Sequence, residues 1–107
     1  MKPVIALLLL AIFVSGQGSQ KFTGTITDDM CPTGNHSKMR MGATDAECAI
    51  ACIHSHGALY VLFDGKNAYA LSDQKTPEKF AGKKVTVTGK LDTKKMTIEM
   101  TSIAASN

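Results

Sequence analysis

The sequence predicts a small, mainly β, α+β domain. The expected architecture is a five-stranded Greek-key barrel of the oligonucleotide/oligosaccharide-binding (OB) type. A cysteine-bearing helix is inserted between strands one and two. Three observations lead there. Five short segments alternate apolar and polar residues with the period of two that marks half-buried strands. One twelve-residue segment carries helical spacing and both helix-end signals. Gly24 and Gly89 sit inside strand patterns, where glycine relieves the tight bends of a small closed sheet. A flatter α+β sheet with the helix on one face is the alternative.

The elements follow in order. KFTGTITD at 21–28 alternates Phe22, Gly24 and Ile26 against Thr23, Thr25 and Thr27, a first strand. A loop with Pro32, Gly34 and Gly42 follows over 29–43. Thr44 with Glu47 three residues on forms a capping box, and Gly57 is a C-terminal stop, so the helix runs over 45–56. Its apolar stripe is Ala46, Ala49, Ile50 and Ile53. ALYVLFDGKNAYAL at 58–71 reads as a hairpin turning at Asp64-Gly65. Pro77 opens a short helical turn that ends near Gly82. The strands 83–91 and 96–103 complete the set, joined through LDTKKM.

Before this domain lies MKPVIALLLLAIFVSGQG. Lys2, the apolar run Val4 to Val14 and the small polar residues after it have the three-part pattern of a secretory signal peptide over 1–18, cleaved near 16–18. The run is shorter than the roughly 20 apolar residues of a membrane span, and no lipid-anchor cysteine stands at the junction. The expected product is a secreted or periplasmic domain over 19–107 with no membrane span. Without Lys2, eleven Lys and Arg face nine Asp and Glu. So small an excess gives no basis for a nucleic-acid or membrane partner, and the lack of Trp weakens any stacking-based ligand. The partner is therefore an unidentified ligand or protein.

The chemistry concentrates in Cys31, Cys48 and Cys52. Cys48 and Cys52, four apart, lie on one flank of the predicted helix with His56 a turn further, about 120° from the apolar stripe. His54 falls on the opposite flank. An i,i+4 pair in a helix makes a poor disulfide because its side chains run side by side. A bridge from Cys31 to Cys48 or Cys52 is the better arrangement. It would close a loop of about twenty residues and contribute on the order of 3 kcal/mol. Cys31, His36, Cys48 and Cys52 also form a Cys3His set suited to zinc, and with Met30, Met39 and Met41 nearby, to copper(I). Their C-x4-H-x11-C-x3-C spacing matches no zinc-finger signature. A thiol-based redox protein is the third reading, although C-x3-C is not the C-x-x-C of thioredoxin-like enzymes. Asp28 and Asp29 read as turn formers, His54 and His56 as a solvated helix end, and Tyr60, Phe63 and Tyr69 as packing residues. No catalytic triad order, phosphate loop or paired-carboxylate motif is present, so a non-enzymatic module is expected.

FTGTITDDMC, the pair C-AIA-C, YVLFDGKNAYALSD and FAGKKVTVTGKL together resemble a family of small secreted bacterial proteins with a domain of unknown function. The resemblance runs from about Phe22 to Ile103. Asp28, Cys31, His36, Cys48 and Cys52 match its pattern. It implies export and an OB-like fold, and no activity.

Overall fold

A computed structural model describes residues 19–35 and 42–106. The expected signal peptide, His36, Met39 and Met41 lie outside the described residues. The order is β1 (Gln20–Asp28), α1 (Asp45–His56), β2 (Tyr60–Phe63), β3 (Ala68–Leu71), a 3₁₀ turn (Thr76–Phe80), β4 (Lys84–Asp92) and β5 (Thr97–Ala105). All five strands close into one barrel in the order β1-β2-β3-β5-β4, so the flatter sheet is not formed. Every neighbouring pair is antiparallel except β3 with β5, which is parallel.

β1 serves two neighbours in succession. Its first half pairs with β4, from Gln20 opposite Gly89 to Thr25 opposite Lys84. Its second half pairs with β2, from Thr25 opposite Phe63 to Asp28 opposite Tyr60. The strand must bend where it changes partner, and Gly24 stands there. A Cβ at Gly24 would fall on the Phe63 carbonyl, and one at Gly89 on the Glu99 carbonyl. Gly89 also follows the register shift at Thr88/Gly89, where β5 carries an extra residue. Both glycines mark close backbone approaches, the physical content of their positions in the strand patterns.

The core fills the barrel with Ile26, Tyr60, Leu62, Tyr69, Leu71, Val85, Val87 and Ile98. Phe22 tilts against Tyr69 with ring centroids 6.1 Å apart. The turns are held by aspartates: Asp64 Oδ1 accepts the Lys66 and Asn67 amides, and Asp92 Oδ1 accepts those of Lys94 and Lys95.

α1 begins and ends as the sequence predicts. The Glu47 amide donates to Thr44 Oγ1 at 3.1 Å, and Gly57 takes a left-handed φ of 68° with its amide on the Cys52 carbonyl. The Glu47 carboxylate reaches back to the Ala43 amide and the Thr44 hydroxyl. The face that α1 buries differs from the expected stripe. Its buried residues are Cys48, Ala49 and Cys52, while Ala46, Ile50 and Ile53 are only partly buried. The helix is rolled toward its cysteines, which pack as small apolar side chains.

One edge is closed by a side chain. β2 begins beside no third strand at Tyr60, and the Gln74 amide stands in for one. The Tyr60 amide donates to Gln74 Oε1 at 2.7 Å, and Gln74 Nε2 donates to the Tyr60 and Leu71 carbonyls. The Tyr60 amide and the Tyr60 and Leu71 carbonyls are thereby paired.

Gly24→Ala should lower stability by about 1–3 kcal/mol, because the Phe63 carbonyl has to move to admit the methyl group. Thr44→Ala should cost about 1 kcal/mol through the lost cap. Urea titration followed by circular dichroism reads both, and an unchanged midpoint for Gly24→Ala would contradict the close approach.

Candidate functional site

The site lies where α1 covers the end of the barrel at which β1 stops. Alternation along β1 turns Phe22, Gly24, Ile26 and Asp28 inward, which places a carboxyl group inside the barrel at its last position. Asp28 is fully buried. Its Oδ2 accepts the Met30 amide at 3.1 Å and the Cys31 amide at 3.0 Å. These bonds turn the chain sharply out of β1. Thr27 Oγ1 donates to the Cys31 carbonyl, and the Asp29 amide and carboxylate pair with the Leu59 backbone.

The turn carries Cys31 to the buried face of α1. The Asp28 carboxyl also acts on the buried Cys52 thiol, helping to raise its pKa. One carboxyl group therefore fixes the Cys31 backbone and acts electrostatically on the Cys52 thiol. Cys48 is turned elsewhere: its thiol donates to the Gly42 carbonyl at 3.3 Å. Cys31 is partly exposed, whereas Cys48 and Cys52 are fully buried, and none of the three is in a disulfide.

Burial, then the Asp28 charge and hydrogen bond, push the Cys52 thiol up to about 11, with Cys31 and Cys48 adding to the shift. Burial, Asp28 and Cys48 raise the Cys31 thiol as well. A raised thiol is protonated at neutral pH and is a weak nucleophile, the reverse of what activates a catalytic cysteine. Among the described residues, no group of three His, Cys, Asp or Glu is arranged to hold a metal ion.

A second cluster lies beside the first. Glu78 Oε1 accepts the Tyr60 hydroxyl at 2.7 Å, and His54 Nε2 lies 2.8 Å from the same oxygen. This ties α1, β2 and the 3₁₀ turn to one carboxylate. Tyr60 is buried, and burial followed by the Glu78 bond pushes its hydroxyl pKa up. The Tyr60 and His54 bonds hold the Glu78 carboxyl below its ordinary 4.5.

Of the expected site, Cys31 lies on the turn after β1, Cys48 and Cys52 lie on the buried face of α1, and His36 lies outside the described residues. Sequence reasoning placed the cysteines on a flank of α1, and they occupy its buried centre. It read Asp28 as a turn former, which it is, and missed that the same carboxyl meets Cys52. The signal was available in the period of two, which puts Asp28 in phase with Ile26. It read His54 as a solvated helix end, and His54, though exposed, pairs with Glu78. No protein-family model, curated protein or solved structure matches the chain. No helix among the described residues is long and apolar enough to cross a membrane.

Asp28→Ala should destabilise the domain by about 1–3 kcal/mol, since the Met30 and Cys31 amides lose a buried acceptor. Asp28→Asn, which keeps an acceptor oxygen, should cost less. Denaturant titration of the two variants checks the order. Glu78 gives a pH dependence of definite sign. Its lowered folded pKa contributes stability that is present above 4.5 and is lost as pH falls through the lowered value. Melting temperatures across that acid range should fall less steeply for Glu78→Gln than for the wild type, and equal slopes would rule the contribution out.

Proposed function

We propose that the chain is an exported, non-enzymatic module built on an OB-type barrel, in which a Cys31–Cys52 disulfide fastens the helix to the barrel. The strand order β1-β2-β3-β5-β4 with its parallel β3–β5 pair supports the OB-type assignment. The helix after β1 is an insertion into that plan, as the sequence predicts. The observation that carries the reading is Asp28, whose carboxyl holds the Cys31 amide and also raises the Cys52 thiol. Between the two partners considered for Cys31, this favours Cys52, because the Cys48 thiol is occupied with Gly42.

Export supplies the oxidising surroundings that a structural bridge needs. A domain this small buries a modest core and gains from a covalent tie. Raised pKa values at Cys31 and Cys52 argue against a thiol enzyme. The ligand of the module is an unidentified small molecule or protein, and fold type alone does not name it.

A second reading is a soft-metal protein that binds zinc or copper(I) through Cys31, His36, Cys48 and Cys52. What favours it is that Cys52 feels both other thiols and Cys31 feels Cys48. The absence of a ligand group among the described residues weighs against it.

Native mass spectrometry and peptide mapping of protein secreted into an oxidising compartment distinguish the two. The staple reading expects a chain lighter by two hydrogens, a linked Cys31–Cys52 peptide and an alkylatable Cys48 after unfolding. Reduction should lower stability by about 3 kcal/mol. Three unbridged thiols with a metal ion retained through dialysis would sink the staple and favour the metal.

A further inference from the structure

β5 outruns its neighbour on one side. Its ladder with β4 continues to Ala105 opposite Val85, and the Ser106 amide donates to the Lys84 carbonyl. Toward β3 it pairs only at Thr97 and Ile98, and the Ser72 hydroxyl accepts the Met100 amide where β3 leaves. Beyond that point, among the described residues, no strand pairs with β5 on this side. The 3₁₀ turn approaches β5 without adding a strand to it. Backbone alternation settles which groups are left over. Ser106 bonds to Lys84, so Ala104 opposite Thr86 and Ser102 opposite Thr88 also turn their backbone groups to β4. Ile103 and Ala105 turn theirs to the vacant side.

A free edge accepts another strand, and proteins blunt such edges with charge, proline or a bulge. The free stretch of β1 ahead of Thr25 carries Lys21. Residues 100–106 of β5 and its end read MTSIAAS, with no charge and no proline. The register shift at Thr88/Gly89 lies before the free stretch, which pairs regularly with β4 after it. Thr101, Ser102, Ala104 and Ala105 are short and exposed. β2 and β3 are uncharged as well, but each has a neighbour on both sides. Two copies of one chain bring like charges together in most placements, and like charges across a contact repel. The uncharged strip of β5 avoids this, so the partner it fits is the same strip of a second copy.

We propose that two copies of the chain dimerise by antiparallel pairing of β5 with β5, about a two-fold axis at Ala104. Ile103 of each copy lies opposite Ala105 of the other, and each such pair exchanges both backbone hydrogen bonds. The two Ala104 methyl groups face each other in the close pair between them, where a small side chain lets the strands approach. One continuous sheet then runs through β1, β4 and β5 of both copies. Pairing of β5 with the free stretch of β1 would bring in Lys21 and grow open chains instead of closing. The contact is one strand wide, below the roughly 1,000 Å² of a stable interface, so the dimer is weak and forms with rising concentration.

Sedimentation velocity over a concentration series of the exported, purified chain reads the assembly, and circular dichroism establishes that each variant is folded. The wild type should pass from monomer to dimer as concentration rises and go no further. Ala104→Lys and Ala104→Glu should each weaken the dimer at least about ten-fold, and an equimolar mixture of the two should restore it. Ala105→Pro removes an amide that faces the other copy and leaves the β4 ladder intact, so it should also give monomer. A wild type that stays monomeric up to about 1 mM would overturn the proposal. So would a dimer that all three folded variants retain, because its interface then lies elsewhere. Growth past the dimer would refute the two-fold arrangement in favour of β5 pairing with β1.

Discussion

A carboxyl group that faces the inside of a barrel must be given hydrogen-bond donors, because burying it without them costs several kcal/mol. Asp28 occupies that position at the end of β1, fully buried, and much of the surrounding structure supplies the donors. The chain turns at once so that the Met30 and Cys31 amides meet it. α1 buries Cys48 and Cys52, and the Asp28 carboxyl raises the Cys52 thiol. The roll in turn leaves Ile50 and Ile53 at the margin of the packed face. Asp28 thus joins the first strand, the turn and the helix in a way that apolar packing alone would not specify.

The neighbouring cluster does the same for the other side of the helix. Glu78 on the 3₁₀ turn receives the Tyr60 hydroxyl from inside the barrel and His54 from the surface of α1. The two carboxyl groups differ in setting. Asp28 is enclosed and answered mostly by the backbone and a thiol, while Glu78 is in partial contact with water and answered by side chains. The helix is therefore seated at two points, and only the buried one carries cysteines.

What could be read in the sequence follows from the range of each interaction. Strand alternation, the Thr44 cap, the Gly57 stop and the Asp64-Gly65 turn are decided within a few residues, and each appears where its pattern predicts. Gly24 and Gly89 hinted at closure because a close approach removes a side chain at a single position. The roll of α1 was not legible. Cysteine counted as polar chemistry in the helical pattern, while inside the domain it packs as a small hydrophobe. The Gln74 amide beside Tyr60 and the Tyr60–Glu78–His54 cluster were equally hidden, since each joins segments whose meeting depends on the whole barrel. Among the cysteines, type and spacing left two expected partners for Cys31, and the bond of the Cys48 thiol to the Gly42 carbonyl could not be read from them.

The parallel contact between β3 and β5 is short. It comprises Ala70 opposite Thr97 and Leu71 opposite Ile98, with the Ser72 hydroxyl accepting the Met100 amide at its end. β1 with β4 and β4 with β5 share much longer ladders. A closed sheet opens where the fewest bonds must break together, so transient opening concentrates at this seam. The two flaps it releases are unequal. One is the β2–β3 hairpin, carrying Tyr60 and the Gln74 amide, and the other is the long β1-β4-β5 sheet that keeps its own pairing. The hairpin stays hinged on β1 through the β1–β2 ladder, and α1, tied to Tyr60 of β2 through Glu78, spans the two parts.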